Sequence, residues 1–329
     1  MSPKVDRFYG GCIMIERQIK AYACYNLDKD TRYNSTSGGL FLAICKEIID
    51  RGGYVVGVEF DTNFNPRHAI TKEYQGCLNF SGSKYPQSDT GYIYKDVKTL
   101  LDKDEMVLFS GTPCQVAGLK SFLKKDYSKL FCVDIICMGV ASPKIWQSYL
   151  NHVFSNDDVD YVRFKDKKHG WTKYSINIRS KTKELHELGG RNIFMNSYVL
   201  GHQMRESCYE CQFKGKNRFS DITIADCWGV EKIIPEWDRH DGISVALINS
   251  DQGNFLFKIA QANLEYKEIP YEKAIKENPY YSMGKELPPF NKFFWWAYNE
   301  LGFLFYWIYD ASSFHYRAIR KIWSLIIKK

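Results

Sequence analysis

Along the chain, apolar positions switch repeatedly between helical and strand spacing. Behind the polar stretch Ser35-Thr36-Ser37-Gly38-Gly39, the residues Leu40, Phe41, Ile44 and Ile48 fall on one helical face. Gly52-Gly53 stops that helix, and YVVGVEF (54–60) then reads as a buried strand. A second unit repeats the order: MVLFS (106–110) as strand, GTPCQ (111–115) as a sharp turn, VAGLKSFLKK as helix. LFCVDIIC (130–137) is the next strand. Ser142-Pro143 then supplies an N-cap and first helical residue for IWQSYLNHVF. Strands alternating with helices of this length predict an α/β fold, a mixed or mostly parallel sheet with flanking helices.

Beyond residue 155 the texture changes. DYVRFKD (160–166) and YSINIRS (174–180) predict an antiparallel pair, and DITIADCWG (221–229) and GISVALINS (242–250) two further strands. Between them lies a cysteine-bearing loop, so a smaller α+β region is expected to carry it. The expected division is an N-terminal extension (1–30), an α/β cofactor-binding domain (31–155), a C-terminal domain for the cysteines and substrate (156–285), and a helical tail (286–329) set off by Pro288-Pro289.

Composition narrows the function classes. The chain has 329 residues, 45% hydrophobic and 25% charged, enough apolar material for a sizeable core. A net charge of +7 spread along the chain, without a basic stripe interleaved with aromatics, argues against nucleic acid. The N-terminus has no apolar signal region, and no segment reaches the ~20 apolar residues of a membrane span. The expected location is therefore cytoplasmic, where thiols stay reduced. The ten cysteines then read as metal ligands or buried small hydrophobes rather than disulfides.

Cys208-Tyr-Glu-Cys211 is a C-x-x-C in a loop. Alone it fits half a zinc site, part of a cluster site, a dithiol or coincidence. A thioredoxin-type dithiol would open a helix after a strand, which this one does not. Cys114 stands where a strand ends and a helix begins, a place whose N–H groups favour thiolate. Cys137 ends the next strand, before Met138-Gly139. Neighbouring parallel strands bring their carboxyl ends to one edge, so Cys114 and Cys137 are expected to face each other there. With Cys208 and Cys211 they make the four thiolates that a [4Fe–4S] cubane requires. On spacing alone, four unrelated thiols remain the stronger alternative. Cys45, Cys132 and Cys227 sit in apolar periodic segments and read as core, while Cys12, Cys24 and Cys77 carry no assignment.

A run of local signatures shifts that balance. STSGGLF (35–41), GGYVVGVEF (52–60), SGSKYPQS (81–88), VLFSGTPCQVAGLKSFL (107–123), VDIICMGVASPKIWQSYL (133–150), FKDKKHGW (164–171), CYECQFKGKNRFSDITIADCWG (208–229) and DGISVALIN (241–249) follow one another in order. In this, the sequence resembles the coenzyme F420 hydrogenase/dehydrogenase beta-subunit family over roughly residues 30–250. The resemblance implies an iron–sulfur flavoprotein oxidoreductase. It would move electrons between FAD, FMN or coenzyme F420, a [4Fe–4S] cluster on Cys114, Cys137, Cys208 and Cys211, and a partner or substrate. It also implies a reductase role in surface-polysaccharide biosynthesis, with a glycan or nucleotide-sugar substrate. Two departures stand out: residues 1–30 hold only Cys12 and Cys24 where relatives carry a ferredoxin-like module, and Met138 stands where relatives commonly have His. Electrons are therefore expected from a separate carrier, a ferredoxin-like protein or a reduced coenzyme. The basic run Lys214, Lys216 and Arg218 is a candidate dock.

For the cofactor, Ser37, Gly38 and Gly39 open a helix whose N–H groups suit a phosphate. Lys84 can neutralise one or contact a flavin ring, and Thr112 and Gln115 flank Cys114 as donors or as shapers of the turn. Asp226, Trp171 and Trp228 are further candidates, with core or capping roles as the alternative. No catalytic residue is singled out. The competing functions are a zinc-stabilised scaffold or binding protein on the same four thiols, and a thiol-dependent transferase with Cys114 as nucleophile. In residues 290–329, aromatics such as Phe293, Trp296, Phe303, Tyr306 and Trp307 precede Ile319, Ile322, Trp323 and Ile326 on one helical face, with Arg317, Arg320, Lys321 and Lys328 opposite. That pattern predicts a peripheral contact with the inner face of a membrane, or packing on the protein's own body.

Overall fold

Apolar runs with strand spacing become the middle of one large sheet. In this computed structural model, residues 19–154, 157–302 and 304–305 are described. Cys12, Phe303 and the tail positions from Tyr306 onward lie outside the described residues. The strands are β1 (Lys20–Asn26), β2 (Tyr54–Phe60), β3 (Pro66–Thr71), β4 (Val107–Gly111), β5 (Leu130–Ile135), β6 (Val159–Asp166), β7 (Ser175–Ser180), β8 (Glu184–Leu188), β9 (Ile222–Asp226), β10 (Ser244–Ile248) and β11 (Leu264–Ile269). The helices are α1 (Lys29–Asn34), α2 (Leu40–Asp50), α3 (Tyr74–Phe80), α4 (Ile93–Asp102), α5 (Pro113–Leu123), α6 (Pro143–Phe154), α7 (Ile193–Leu200), α8 (Asp251–Ala260), α9 (Tyr271–Lys276) and α10 (Asn291–Leu301).

The large sheet has the order β11-β1-β10-β9-β5-β4-β2-β3. Its central pairs β2–β4, β4–β5 and β5–β9 are parallel, and the pairs toward both edges are antiparallel. The expected α/β sheet is thus present in its mixed form. Strands from both sides of residue 155 share it. The antiparallel pair expected from 160–166 and 174–180 forms as β6–β7, and β8 adds a third strand to this separate sheet.

Strand periodicity explains the layers. On β4, Leu108 enters one core with α2, α3 and α8, while Val107 and Phe109 enter another with α4 and α5. β5 alternates likewise, Phe131 and Val133 against Leu130 and Cys132. The central strands are therefore covered on both faces, as parallel strands require. Truncating the fully buried Phe109 to Ala would cost about 3–5 kcal/mol. A third cluster around Trp146, Tyr149 and Phe194 joins α6, α7 and β6–β8, and the Phe294, Ala297 and Tyr298 face of α10 seals it. Phe293 and Trp296 on the other face of α10 are exposed. Among the described residues, no helix is long and apolar enough to cross a membrane.

Candidate functional site

The carboxyl ends of the four parallel strands meet along one edge, and a cavity of about 570 Å³ opens there. Its floor includes Ser110 and Gly111 from β4, Ile135 at the end of β5 with Ile136 and Cys137 just beyond it, and Ile224 to Asp226 from β9. Of the expected cofactor residues, Ser37, Gly39, Lys84, Thr112 and Gln115 line it, and Gly38 does not.

At one end the wall is the start of α2. Gly39 caps that helix at φ 86°, a left-handed conformation that favours glycine, with no side chain on the first-turn N–H groups. Gly38 lies deeper. Its N–H donates to Ser244 Oγ at 2.9 Å, its carbonyl accepts from Asn26 N at 2.7 Å, and a Cβ there would stand 2.4 Å from the Cys24 carbonyl oxygen. Ser37 Oγ donates to the Ile243 carbonyl at 2.7 Å, so its hydroxyl is held within the protein. Thr36 Oγ1 and Ser83 Oγ, 3.1 Å apart, tie this turn to the loop that carries Lys84. Lys84 Nζ donates to the Ser81 carbonyl at 2.9 Å, and burial pushes its pKa down to about 7 against the opposing pull of Glu59.

The middle of the cavity is aromatic and ionic. Lys165 Nζ, from β6, pairs with Asp226 Oδ2 at 2.6 Å and lies 5.0 Å from the centre of the Trp228 ring. Asp226 Oδ1 accepts from Trp171 Nε1 at 3.0 Å, and the two tryptophans stack on each other with centroids 4.5 Å apart. Trp228 lines the cavity and Trp171 is core. Sequence reasoning misses Lys165. It also misses Lys167, whose buried ammonium donates to the Ser37 and Arg32 carbonyls at 2.7 and 2.8 Å. The signal available is two lysines with strand spacing in FKDKKHGW, opposite an aromatic face.

Of the thiols, Cys137 reaches the cavity and the other three lie near it or near one another. Thr112 and Gln115 form the turn around Cys114: Thr112 N–H and Oγ1 donate to Gln115 Oε1 at 2.9 and 3.0 Å, and Gln115 Nε2 donates to Ser88 Oγ at 2.9 Å. Cys114 therefore sits in the first turn of α5, with its Sγ 3.1 Å from Thr112 Oγ1. β5 ends at Ile135, two residues short of the expected Cys137, because the chain turns away through Gly139 at φ 155°. A Cβ at Gly139 would stand 2.6 Å from Met204 Sδ and 3.2 Å from Cys208 Cβ, so this turn brings the C-x-x-C segment against β5. Burial pushes the Cys137 thiol up to about 12, with Lys214 opposing the rise and the Cys114 and Cys208 thiols adding to it. Cys208 is raised by burial, with Cys114 and Cys211 contributing. Cys114, Cys137 and Cys208 thus act on one another, and Cys211 acts on Cys208. Among the described residues, however, no three His, Cys, Asp or Glu side chains close on a single point as one metal ion requires. Cys137 lines the cavity, as does Met138.

Other cysteines behave as expected: Cys45, Cys132 and Cys227 are buried, and Cys24 and Cys77 join them. The expected basic dock is altered. Arg218 is buried against Asp134, Nη1 to Oδ2 3.0 Å with side-chain exposures of 2% and 0%. Lys214 donates inward to the carbonyls of Cys137 and Tyr280. Of the three basic residues, Lys216 alone is exposed.

A doubly covered α/β sheet with a cavity at the carboxyl edge of its parallel strands is the architecture of a ligand-binding α/β protein. Within that class, the chain belongs to the coenzyme F420 hydrogenase/dehydrogenase beta-subunit family. Residues 104–273 match the family model for the C terminus of the coenzyme F420 hydrogenase/dehydrogenase beta subunit. The family is one of oxidoreductase subunits. The chain is also similar in fold to a chain of the F420-reducing [NiFe] hydrogenase complex from Methanosarcina barkeri. The TM-score is 0.53 at 15% identity, covering 79% of this chain and 89% of that one. No curated protein matches the sequence.

Proposed function

We propose that the chain is an iron–sulfur flavoprotein that moves electrons between a flavin or deazaflavin in the cavity and a [4Fe–4S] cluster on Cys114, Cys137, Cys208 and Cys211. The observation that carries this reading is Cys137, which both lines the cavity and shares its electrostatic surroundings with the Cys114 and Cys208 thiols. Bound together, a flavin and a cluster exchange paired for single electrons.

The chain's own residues fit those groups in distinct ways. The uncapped first turn of α2 offers N–H donors to a phosphate, and Lys84 offers a proton-regulated charge beside it. Lys165, fixed by Asp226, presents a second cation above Trp228. The fold of Thr112, Gln115 and Ser88 holds Cys114 at the helix start, while Gly139 allows Cys208 to approach. A cubane puts each thiolate on a different iron. A single tetrahedral zinc would need sulfurs about 3.8 Å apart, given Zn–S bonds of about 2.3 Å. The four-thiol set and the family resemblance favour the cluster. Because burial favours the protonated forms of Cys137 and Cys208, loading releases protons.

We assign the electron partner to a separate carrier, and the substrate side to a reductive step in surface-polysaccharide biosynthesis, the latter on sequence resemblance alone. Anaerobic purification with iron, zinc and flavin analysis tests the central reading. Bound iron with broad visible absorption and a stoichiometric flavin is the expected result. Colourless protein with bound zinc would overturn it.

A further inference from the structure

The segment after the C-x-x-C sends two cations into the protein, and they are treated differently. Arg218 meets a carboxylate, Asp134, with both side chains almost fully buried. Lys214 meets none. Among the described residues its ammonium has only main-chain acceptors, the carbonyls of Cys137 and, at 3.1 Å, Tyr280. The neighbouring Gly215 N–H donates to the Tyr281 carbonyl at 2.6 Å, so the backbone beside Lys214 is fixed as well. A cation drawn from water without a counter-charge is costly, and Arg218 shows the ordinary remedy four residues away. The groups around the Lys214 ammonium that can become anionic are sulfurs: Cys137, Cys211 and Cys208 all act on it electrostatically.

We propose that Lys214 is the counter-charge of the Cys137, Cys208 and Cys211 thiols, a positioning residue that holds the Cys137 main chain just beyond β5 and raises the reduction potential of the thiolate-bound centre formed there. This rests on the cluster reading above. The physical ground is simple. Adding an electron makes a thiolate-ligated centre more negative, and a fixed cation beside it favours the more negative state. Two carbonyls orient the ammonium without neutralising it, so its charge stays available to the sulfurs. Lys216, two positions on and exposed, is the control, because replacing it removes the same formal charge from the same segment.

The test uses the anaerobically purified full chain, with iron per chain and an EPR-monitored reductive titration as readouts. Lys214→Met is expected to keep its iron and shift the midpoint downward by at least tenfold in the equilibrium constant, about 59 mV for one electron. Lys214→Arg and Lys216→Met are expected to stay close to wild type. Iron lost from Lys214→Met but kept by Lys214→Arg also supports the charge role. The proposal is overturned by Lys214→Met with full iron and an unchanged midpoint, or by Lys216→Met shifting as far. Loss of iron from both Lys214 variants with unchanged thermal melting would overturn it too, since shape rather than charge would then matter. Wild-type protein that binds no iron fails the cluster reading itself, an outcome visible before any variant is measured.

Discussion

The two ends of the cavity are built by opposite means. At the α2 end the wall is main-chain geometry: a left-handed glycine, an uncapped helix start and a loop tied back by Thr36 and Ser83. At the thiol end it is individual side chains brought in from three segments of the sequence, with the Asp134–Arg218 pair and the Gly139 turn beside them.

The largest effect that would sharpen this contrast is on the thiols. Cys137→Ser should reduce bound iron to near zero while Cys45→Ser, changed in the core beneath α2, keeps it. Equal iron in both would dissolve the distinction between the ends. Next comes the lock. Asp134→Ala leaves Arg218 buried without its partner and should cost about 3–5 kcal/mol in urea denaturation. A loss below about 1 kcal/mol, the scale of an exposed ion pair, would mean that the C-x-x-C segment is held by other contacts. Gly38→Val, at the opposite end, should cost about 1–3 kcal/mol by overpacking against backbone and should also weaken flavin retention. Unaltered stability would show that the helix start is not tightly seated.

The smallest effect concerns protons. With the folded pKa of Lys84 near 7 and the unfolded value about 10.4, the unfolded chain binds more protons between those limits. Stability contributed by this group therefore rises with pH through that window and is flat below it. Lys84→Met should flatten part of the rise, with buried Lys167, also near 7, contributing equally to both proteins. A phosphate-bearing ligand bound beside Lys84 at pH 8 should be accompanied by proton uptake, measurable by calorimetry in buffers of different ionisation enthalpy. Uptake that is the same in Lys84→Met would remove this lysine from the ligand's surroundings.

The parallel half of the molecule is legible in the sequence because its signals are local. β2 occupies the expected 54–60, and α2, α5 and α6 begin behind the turn residues that predict them. The thiol set needs both the strand–turn–helix reading and family resemblance, since no local rule joins Cys114 and Cys137 to residues 208–211. What escapes is chemistry set by tertiary packing. A polar segment such as FKDKKHGW does not announce that Lys165 and Lys167 are buried, because their acceptors come from Asp226 and from carbonyls near residue 32. Lys214 and Arg218 read as a solvent-facing basic run for the same reason. Their acceptors lie some 60 to 85 residues away.

The position of β1 between β10 and β11 sets a timetable for assembly. This strand, among the earliest described residues to leave the ribosome, has its strand partners in residues 244–269. At a synthesis rate of roughly 5–20 residues per second, it waits on the order of 10–50 seconds for them. Through that interval the turn holding Ser37 to Gly39 lacks the Ile243 and Ser244 contacts that fix it. That turn is therefore completed late, only when most of the chain exists. An edge waiting that long without its partners is where a chaperone would be expected to bind.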